Sequence, residues 1–582
     1  MDMPESVVRR GGIGLRAEQL ELGLGDPNDT ANIFNYRQQV ECDEASELPE
    51  QAMSLMRKFG FPAFMIPASL GGALDRPEDV LWAGRVAARR DLTVTLSFGS
   101  TLLAAMPVWL WGTAEQRTRL AQALVSGSLG GFAISEAEHG SDLMASDAVL
   151  VSSAGKVFLS GAKWPIGNAT RGDFITVLAR SPGASGDGFS IVCLFKADLP
   201  ADGWTNIPAV RLHGLRGFDL SGVKFSDCEI PPSAQIGRDG LKQTMKTLQV
   251  TRTMLATFSL GSGDSALRLA LAHLRSRELY AKTAYDIPPI RRQLVGSYLD
   301  LLIAECVARP AFRAMSALPG RLSLWSAISK YLVPTLVEDV MADVGEILGA
   351  RKFMREGPWY GMFQKLLRDN SVVSVFDGTT HVCVRAIAAQ LSVVLERSPK
   401  GIDEAGDAMA AVFSFSKGAV RWEPDGEKLQ LTNRGVDEVG QNWRHAVTML
   451  GAGSSAAVTS TTAAAIELLV RELDEEWGAL RKRVAGLRAA DPAFASSAEM
   501  DDASRMFSLL WAASACLQTW LVNREETGGD FGAGDWLLGC LQRIMHRIRP
   551  FDHVQGLAAE ADMLRRYDEG LMFSLEDFPI AR

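Results

Sequence analysis

The sequence runs to 582 residues and carries 60 Lys and Arg against 69 Asp and Glu, a formal net charge of -9 that disfavours nucleic-acid binding over the whole surface. Hydrophobic residues make up 47% and charged residues 22%, enough for a large core split over several domains. The seven cysteines are scattered without a CxxC pair and their number is odd, which argues for reduced thiols in a cytoplasmic protein; the seven histidines form no HExxH, which argues against a metal enzyme.

Met1 to Glu5 is acidic and lacks the apolar core of a signal peptide. Residues 1 to about 128 read as helical: Met53 to Met65 and Val80 to Ala88 repeat apolar residues every three or four positions, Gly71-Gly72 breaks the pattern, and a further helix runs from Ala114 to about Val125. Near Gly130 the character changes. Ala148 to Val151 and Lys156 to Leu159 flank Ser-Ser-Ala-Gly and predict a hairpin, and Phe174 to Ala179, Phe189 to Phe195 and Gly222 to Phe225 predict further strands. Turn-rich segments such as Ser181 to Gly188 separate them.

From about Leu241 long helices return, with Leu267, Ala270, Leu271 and Leu274 forming one stripe, and they continue to about Leu395. Ser398 to Gly406 reads as a linker, followed by helical segments near 438–487, 499–525 and 534–548. Met506 to Val522 is the longest apolar stretch, but it is short for a membrane span and holds Ser508, Ser514, Gln518 and Thr519, so it predicts a buried helix and no transmembrane segment. Strands and helices do not alternate and no GxGxxG opens a helix after a strand, which excludes a doubly wound sheet with a Rossmann site. The fold class is α+β with segregated layers, divided at 1–128, 129–240, 241–397 and 398–582.

Gly131 to Asp142, Gly-Phe-Ala-Ile-Ser-Glu-Ala-Glu-His-Gly-Ser-Asp, resembles the signature of the acyl-CoA dehydrogenase family. Further segments match in the same order: Leu159 to Asn168, Leu212 to Asp219 with Val223 to Pro231, Arg252 to Tyr280, and Phe376 to His381. The resemblance covers about residues 45–395. It implies an N-terminal helical domain, a middle β domain and a C-terminal helical bundle, with FAD between them and across a subunit interface of a homodimer or homotetramer. The chain after about 400 resembles, in position only, the extra helical domain of larger members.

The same resemblance implies a reaction, α,β-dehydrogenation of an acyl thioester carried on CoA or an acyl carrier protein. A carboxylate takes the α-proton while a hydride leaves the β-carbon for flavin N5, and burial makes such a carboxylate a stronger base. Asp377 stands at the matching position, where the family usually has Glu, and Gly378 leaves room for close approach. Asp264, on a helix of the bundle, is a reserve candidate for the base. Phe132, Ile134, Ser135, Gly140 and Ser141 match flavin- and phosphate-contacting positions, with Ser141 also toward the thioester, and Arg252 matches an arginine near the substrate. Pro165, Ile166 and Gly167 stand where the family has Trp-x-Thr, so a hydroxyl is missing at Gly167.

Arg277 and Tyr280 match a site for the neighbouring subunit's FAD. Glu346 and Gly349 stand in the segment expected to hold its adenine half, and Thr379 and His381 are further candidate cofactor contacts. Electron-transfer flavoprotein or oxygen is the implied acceptor, and an acyl-CoA oxidase, a flavin monooxygenase or N-oxygenase, and a non-catalytic relative are the alternatives on the same fold.

Overall fold

The computed structural model describes residues 15–182, 186–356, 358–397, 409–416, 420–452, 458–550 and 556–582. The acidic N-terminus, part of the turn at 181–188 and the linker expected at Ser398 to Gly406 lie outside the described residues. The helices of the first part are α1 (Leu15–Leu24), α2 (Tyr36–Ala45), α3 (Glu50–Lys58), α4 (Pro77–Ala88), α5 (Leu92–Trp111) and α6 (Ala114–Val125). The helix α5 escaped the periodicity reading because it is apolar all round, the pattern of a core helix. It starts where Asp91 caps the Val94 amide at 2.8 Å and runs uncharged for 20 residues. By length and composition it is the one described helix that passes for a membrane span, a longer apolar stretch than Met506 to Val522, which lies in a buried helix as expected; 89% of α5 is buried within the protein.

The middle part is an eight-stranded sheet. Its strands are β1 (Gly130–Ala133), β2 (Val149–Ser153), β3 (Lys156–Gly167), β4 (Phe174–Arg180), β5 (Phe189–Phe195), β6 (Trp204–Ile207), β7 (Leu220–Ile230) and β8 (Gln235–Ile236). The order is β6-β7-β3-β2-β4-β5-β8, with β1 pairing parallel to β4 from Gly130 opposite Phe174. The expected β2–β3 hairpin forms across Ala154 and Gly155, both at positive φ. The Gly-Gly start of β1 hides it from strand propensity, and it has a packing cause: a Cβ on Gly130 would stand 2.2 Å from the Phe174 ring.

The third part holds α7 (Gly240–Met254), α8 (Ala256–Ser276), α9 (Pro288–Ala317), α10 (Leu322–Leu348), α11 (Met362–Asn370) and α12 (Thr380–Glu396). A helical turn at Glu438–Gln441 follows, then α13 (Trp443–Ala452), α14 (Ser460–Ala490), α15 (Ala498–Thr527), a second short turn at Gly529–Ala533, α16 (Asp535–Ile548) and α17 (Glu560–Glu569). The tail helices share one continuous apolar core with the bundle. Trp325 of α10 meets Trp511 of α15 edge-to-face at 5.9 Å, and both indole N–H groups donate to Asp437 Oδ1, at 2.8 and 3.1 Å.

The C-terminal strand of chain returns to the first part. Trp82 stacks on Phe578 at 5.0 Å, the Phe573 amide donates to Asp264 at 2.6 Å, and Arg85 reaches both Glu305 at 2.7 Å and the Phe573 carbonyl at 3.0 Å. Arg85 and Glu305 are fully buried; Glu305 also pairs with Arg309 at 3.3 Å, whereas Glu305 is the carboxylate that Arg85 reaches. Replacing Glu305 by Ala therefore leaves Arg85 buried and unpaired. The expected cost is about 3–5 kcal/mol, read as a lowered midpoint in chemical denaturation; an unchanged midpoint would show that water reaches Arg85.

Candidate active site

The segment after β1 is shaped by Glu136. Its carboxylate accepts from the Ser146 hydroxyl at 2.5 Å, the Asp147 and Ala148 amides at 2.7 and 3.1 Å, and Lys163 Nζ at 2.7 Å. Burial pushes its pKa up, but Lys163, Ser146 and the Asp147 amide outweigh that and hold it at about 2. The signature's Glu is thus a permanently ionised clamp, and the loop it closes carries Ile134, Ser135, Gly140 and Ser141 to the rim of a cavity.

The end of β3 forms another wall. Asn168, at φ 57°, donates through its side-chain amide to the Ser97 carbonyl at 2.7 Å and the Gly130 carbonyl at 3.2 Å, so it ties α5, β1 and β3 together. One residue earlier, a Cβ on Gly167 would stand 2.6 Å from Ser100 Oγ and 2.8 Å from the Phe218 ring. The hydroxyl missing from Gly167 therefore has a steric cause: Ser100 of α5 already fills that space.

The third wall is the turn before α12, where Asp377 (φ 50°) and Gly378 (φ 94°) both adopt left-handed conformations. Three hydrogen bonds from buried cations hold it. Lys330 Nζ donates to the Val373 and Gly378 carbonyls at 2.6 and 2.9 Å, and Arg252 Nε donates to the Asp377 carbonyl at 2.9 Å. A Cβ on Gly378 would stand 2.7 Å from Arg252 Nε. The glycine thus makes room for the guanidinium, and it also lines the cavity where close approach of a substrate is expected.

The Asp377 carboxylate accepts from the Thr251 hydroxyl at 2.7 Å through Oδ2. Its Oδ1 is shielded from solvent and has no hydrogen-bond partner among the described residues. Burial raises its pKa, and Arg252, Thr251 and Lys330 only partly counter this.

These walls enclose a cavity of about 830 Å³, within the range of small-molecule sites. It gathers Phe132, Ile134, Ser135, Gly140, Ser141, Pro165, Ile166, Gly167, Arg252, Asp377 and Gly378 from the sequence-derived candidates. Leu96, Ser100, Leu103, Leu248 and Phe376 join the lining. Apolar walls with hydroxyls from Ser100, Ser135 and Ser141 suit a flat aromatic heterocycle with polar edges, so the residues fit a flavin ring.

The remaining candidates lie outside this lining. Thr379 caps α12 by accepting from the Val382 amide, and His381 is exposed in its first turn. Arg277 ends α8, Tyr280 is 90% exposed, and Glu346 and Gly349 are exposed at the end of α10. Asp264, expected as a reserve base on a helix, is instead fully buried and held by Arg89 at 2.8 Å and Arg268 at 2.9 Å, away from the cavity; it is an element of the core ion network. Lys330, Thr251 and Ser100 were not found from sequence; a lysine inside the apolar Leu324 to Val337 stretch of α10 was the available signal for the first.

Three family models match the chain: acyl-CoA dehydrogenase N-terminal domain over residues 33–128, middle domain over 131–228 and C-terminal domain over 238–392. The chain is 26% identical over 349 residues to a Mycobacterium tuberculosis protein named Probable acyl-CoA dehydrogenase FadE25, covering 59% of this chain and 87% of that one. It is 25% identical over 358 residues to the caffeyl-CoA reductase-Etf complex subunit CarC of Acetobacterium woodii, covering 60% and 92%. An acyl-CoA dehydrogenase from Bacillus anthracis complexed with FAD superposes with TM-score 0.67 at 15% identity over 95% of this chain and 90% of that one. The fold of the tail is therefore shared with at least one solved structure. Butyryl-CoA dehydrogenase from Megasphaera elsdenii superposes with TM-score 0.59 at 20% identity over 67% of this chain and 100% of that one.

Burial favours the protonated form of Asp377, so its contribution to stability is fully present at low pH and is lost as pH rises through its raised folded pKa. Asp377→Asn is accordingly expected to raise the thermal midpoint at pH 8, with the gain shrinking as the pH is lowered. A midpoint that falls at pH 8 would mean that Arg252 and Lys330 outweigh burial.

Proposed function

The chain belongs to the acyl-CoA dehydrogenase family of FAD-dependent oxidoreductases, and from that premise we propose that Asp377 is the base that takes the α-proton of an acyl thioester. One observation carries this reading: Asp377 lines the cavity that also contains the signature loop, and its carboxylate keeps a shielded Oδ1 without a hydrogen-bond partner among the described residues. A carboxylate so placed combines a raised pKa with a free lone pair, which is what proton abstraction from carbon needs. When bound, FAD supplies the acceptor for the β-hydride at N5.

Phe132, Ile134, Pro165 and Ile166 would flank the flavin ring, while Ser135, Ser141 and Ser100 offer hydroxyls to its polar edges or to the thioester. Thr251 orients Asp377 through Oδ2, which leaves Oδ1 for the proton. Arg252 and Lys330 fix the backbone beneath it. A second, mainly apolar hollow of about 40 Å³ lies beside the cavity between Phe61, Phe64, Phe98 and Phe258, and Leu103 lines both. The acyl tail would run toward this hollow, with Leu103 as the divider.

The exposed Tyr280, three residues beyond Arg277, and the exposed Phe353 and Met354 beyond Gly349 support a homo-oligomer in which Arg277, Tyr280, Glu346 and Gly349 meet the cofactor of a second subunit. Arg277→Ala would then weaken FAD retention in the oligomer while leaving each subunit's own cavity intact.

Anaerobic titration of the FAD-loaded protein with a panel of acyl-CoA thioesters tests the central proposal. The flavin band is expected to bleach in the wild type and to persist in Asp377→Asn; a variant that still bleaches would move the base elsewhere. Admitting air afterwards separates oxygen from an electron-transferring flavoprotein as acceptor, because only an oxidase reoxidises rapidly without the protein partner. The Thr251 hydroxyl favours the ionised form of Asp377, so Thr251→Val is expected to move the acid limb of the kcat/KM–pH profile to higher pH. A limb that does not move would separate Asp377 from that ionisation.

A further inference from the structure

A separate pocket of about 230 Å³ lies where the tail meets the end of α12. It is lined by Val394 to Arg397, by Asp437, Gly440, Gln441 and Arg444, and by Trp477, Arg481 and Phe507. α12 has 17 residues, so at 1.5 Å each this pocket sits about 25 Å along the helix from the turn that carries Asp377.

The acceptors of the pocket are already engaged. Asp437 takes the Trp325 and Trp511 indole N–H groups and the Gly440 amide, and Glu396 is ion-paired with Arg488. The donors are not. Among the described residues, Arg444 and Arg481 make no side-chain hydrogen bond and no ion pair, while Arg397 uses one nitrogen on the Arg434 carbonyl at 2.7 Å. Trp477 is 1% exposed, and its Nε1 is buried without an acceptor. Arg481 stands 5.7 Å from the centre of that ring. Burial and the neighbouring Arg444 both push the Arg481 guanidinium below its ordinary pKa, against the weaker pull of Asp474. Two neighbouring guanidinium groups lining one half-closed pocket, together with an orphaned indole N–H on a residue of the same lining, are unfavourable by themselves and complementary to an anion.

We propose that this pocket binds a small oxyanion of the phosphate class, with Arg444, Arg481 and the Trp477 indole as its donors. Donors arriving from separate helices suit the several acceptor oxygens of a phosphate or pyrophosphate group better than a single carboxylate. The group arrives either as the inorganic ion or as part of a nucleotide. The site is apart from the dehydrogenation cavity and is linked to it through α12, whose first turn follows Asp377 and Gly378 directly.

Calorimetric titration of the FAD-loaded full chain with inorganic pyrophosphate, ADP and adenosine tests this. Saturable pyrophosphate binding is expected, weakened about 10-fold or more in Arg444→Ala and in Arg481→Ala, and weakened in Trp477→Phe, which keeps a ring but removes the donor. Tighter binding of ADP that is equally lost in the arginine variants identifies a nucleotide; equal binding of ADP and pyrophosphate identifies the inorganic group as sufficient. Absence of pyrophosphate binding, binding unchanged in both arginine variants, or binding by adenosine alone overturns the proposal. Without anion, each arginine variant is expected to melt at or above the wild-type temperature, because removing one of two neighbouring like charges relieves repulsion. A lower melting temperature would show that the pair is structural and would equally overturn it.

Discussion

Two buried cations, Lys330 and Arg252, donate to the backbone carbonyls of a single turn, and the candidate site depends on that arrangement. A left-handed pair at Asp377 and Gly378 turns carbonyls inward, where water cannot satisfy them, and a charged donor is a strong compensation. The same cations lie beside the Asp377 carboxylate and temper the rise in pKa that burial imposes. The shape of the turn and the basicity of its side chain are therefore coupled. A substitution that loosens the backbone also removes positive charge from beside the base, so the two effects cannot be separated by changing Lys330 or Arg252. Thr251 is the better handle, because it touches only the carboxylate among these groups.

The opposite wall of the cavity follows from packing between α5 and the sheet. Asn168 joins three elements through one side-chain amide, and it brings the end of β3 so near α5 that only glycine fits at position 167. In this chain the Ser100 hydroxyl and the Phe218 ring occupy the space that a side chain at 167 would take.

Much of this was legible in the sequence, for reasons that differ from element to element. The hairpin at Ala154-Gly155 carried its own turn chemistry, and the stripe on α8 showed its buried face directly. The ordered motifs placed the signature loop, the end of β3 and the Asp377 turn around one cavity. β1 was hidden because Gly130 is dictated by the Phe174 ring, a contact between residues far apart in sequence. α5 was hidden because a helix buried on every side has no periodicity to read. Asp264 stood as a reserve candidate for the base because its partners, Arg89 and the Phe573 amide, come from distant parts of the chain and leave no local trace of its place in the core.

The tail shows the same dependence on long-range partners. Asp437 sits fully buried between Trp325 of the bundle and Trp511 of the tail, and burial raises its pKa to about 6 despite both indole donors. An acidic group in that position is tolerated only while both indoles are in place, so the bundle and the tail each complete the other's polar contacts. The C-terminal strand of chain then carries the linkage to the first helices through Phe573, Phe578 and the Arg85–Glu305 pair. The tail is consequently built into the core of the enzyme, and α12, which begins beside Asp377 and ends against the tail, is the element through which a change at one could be felt at the other.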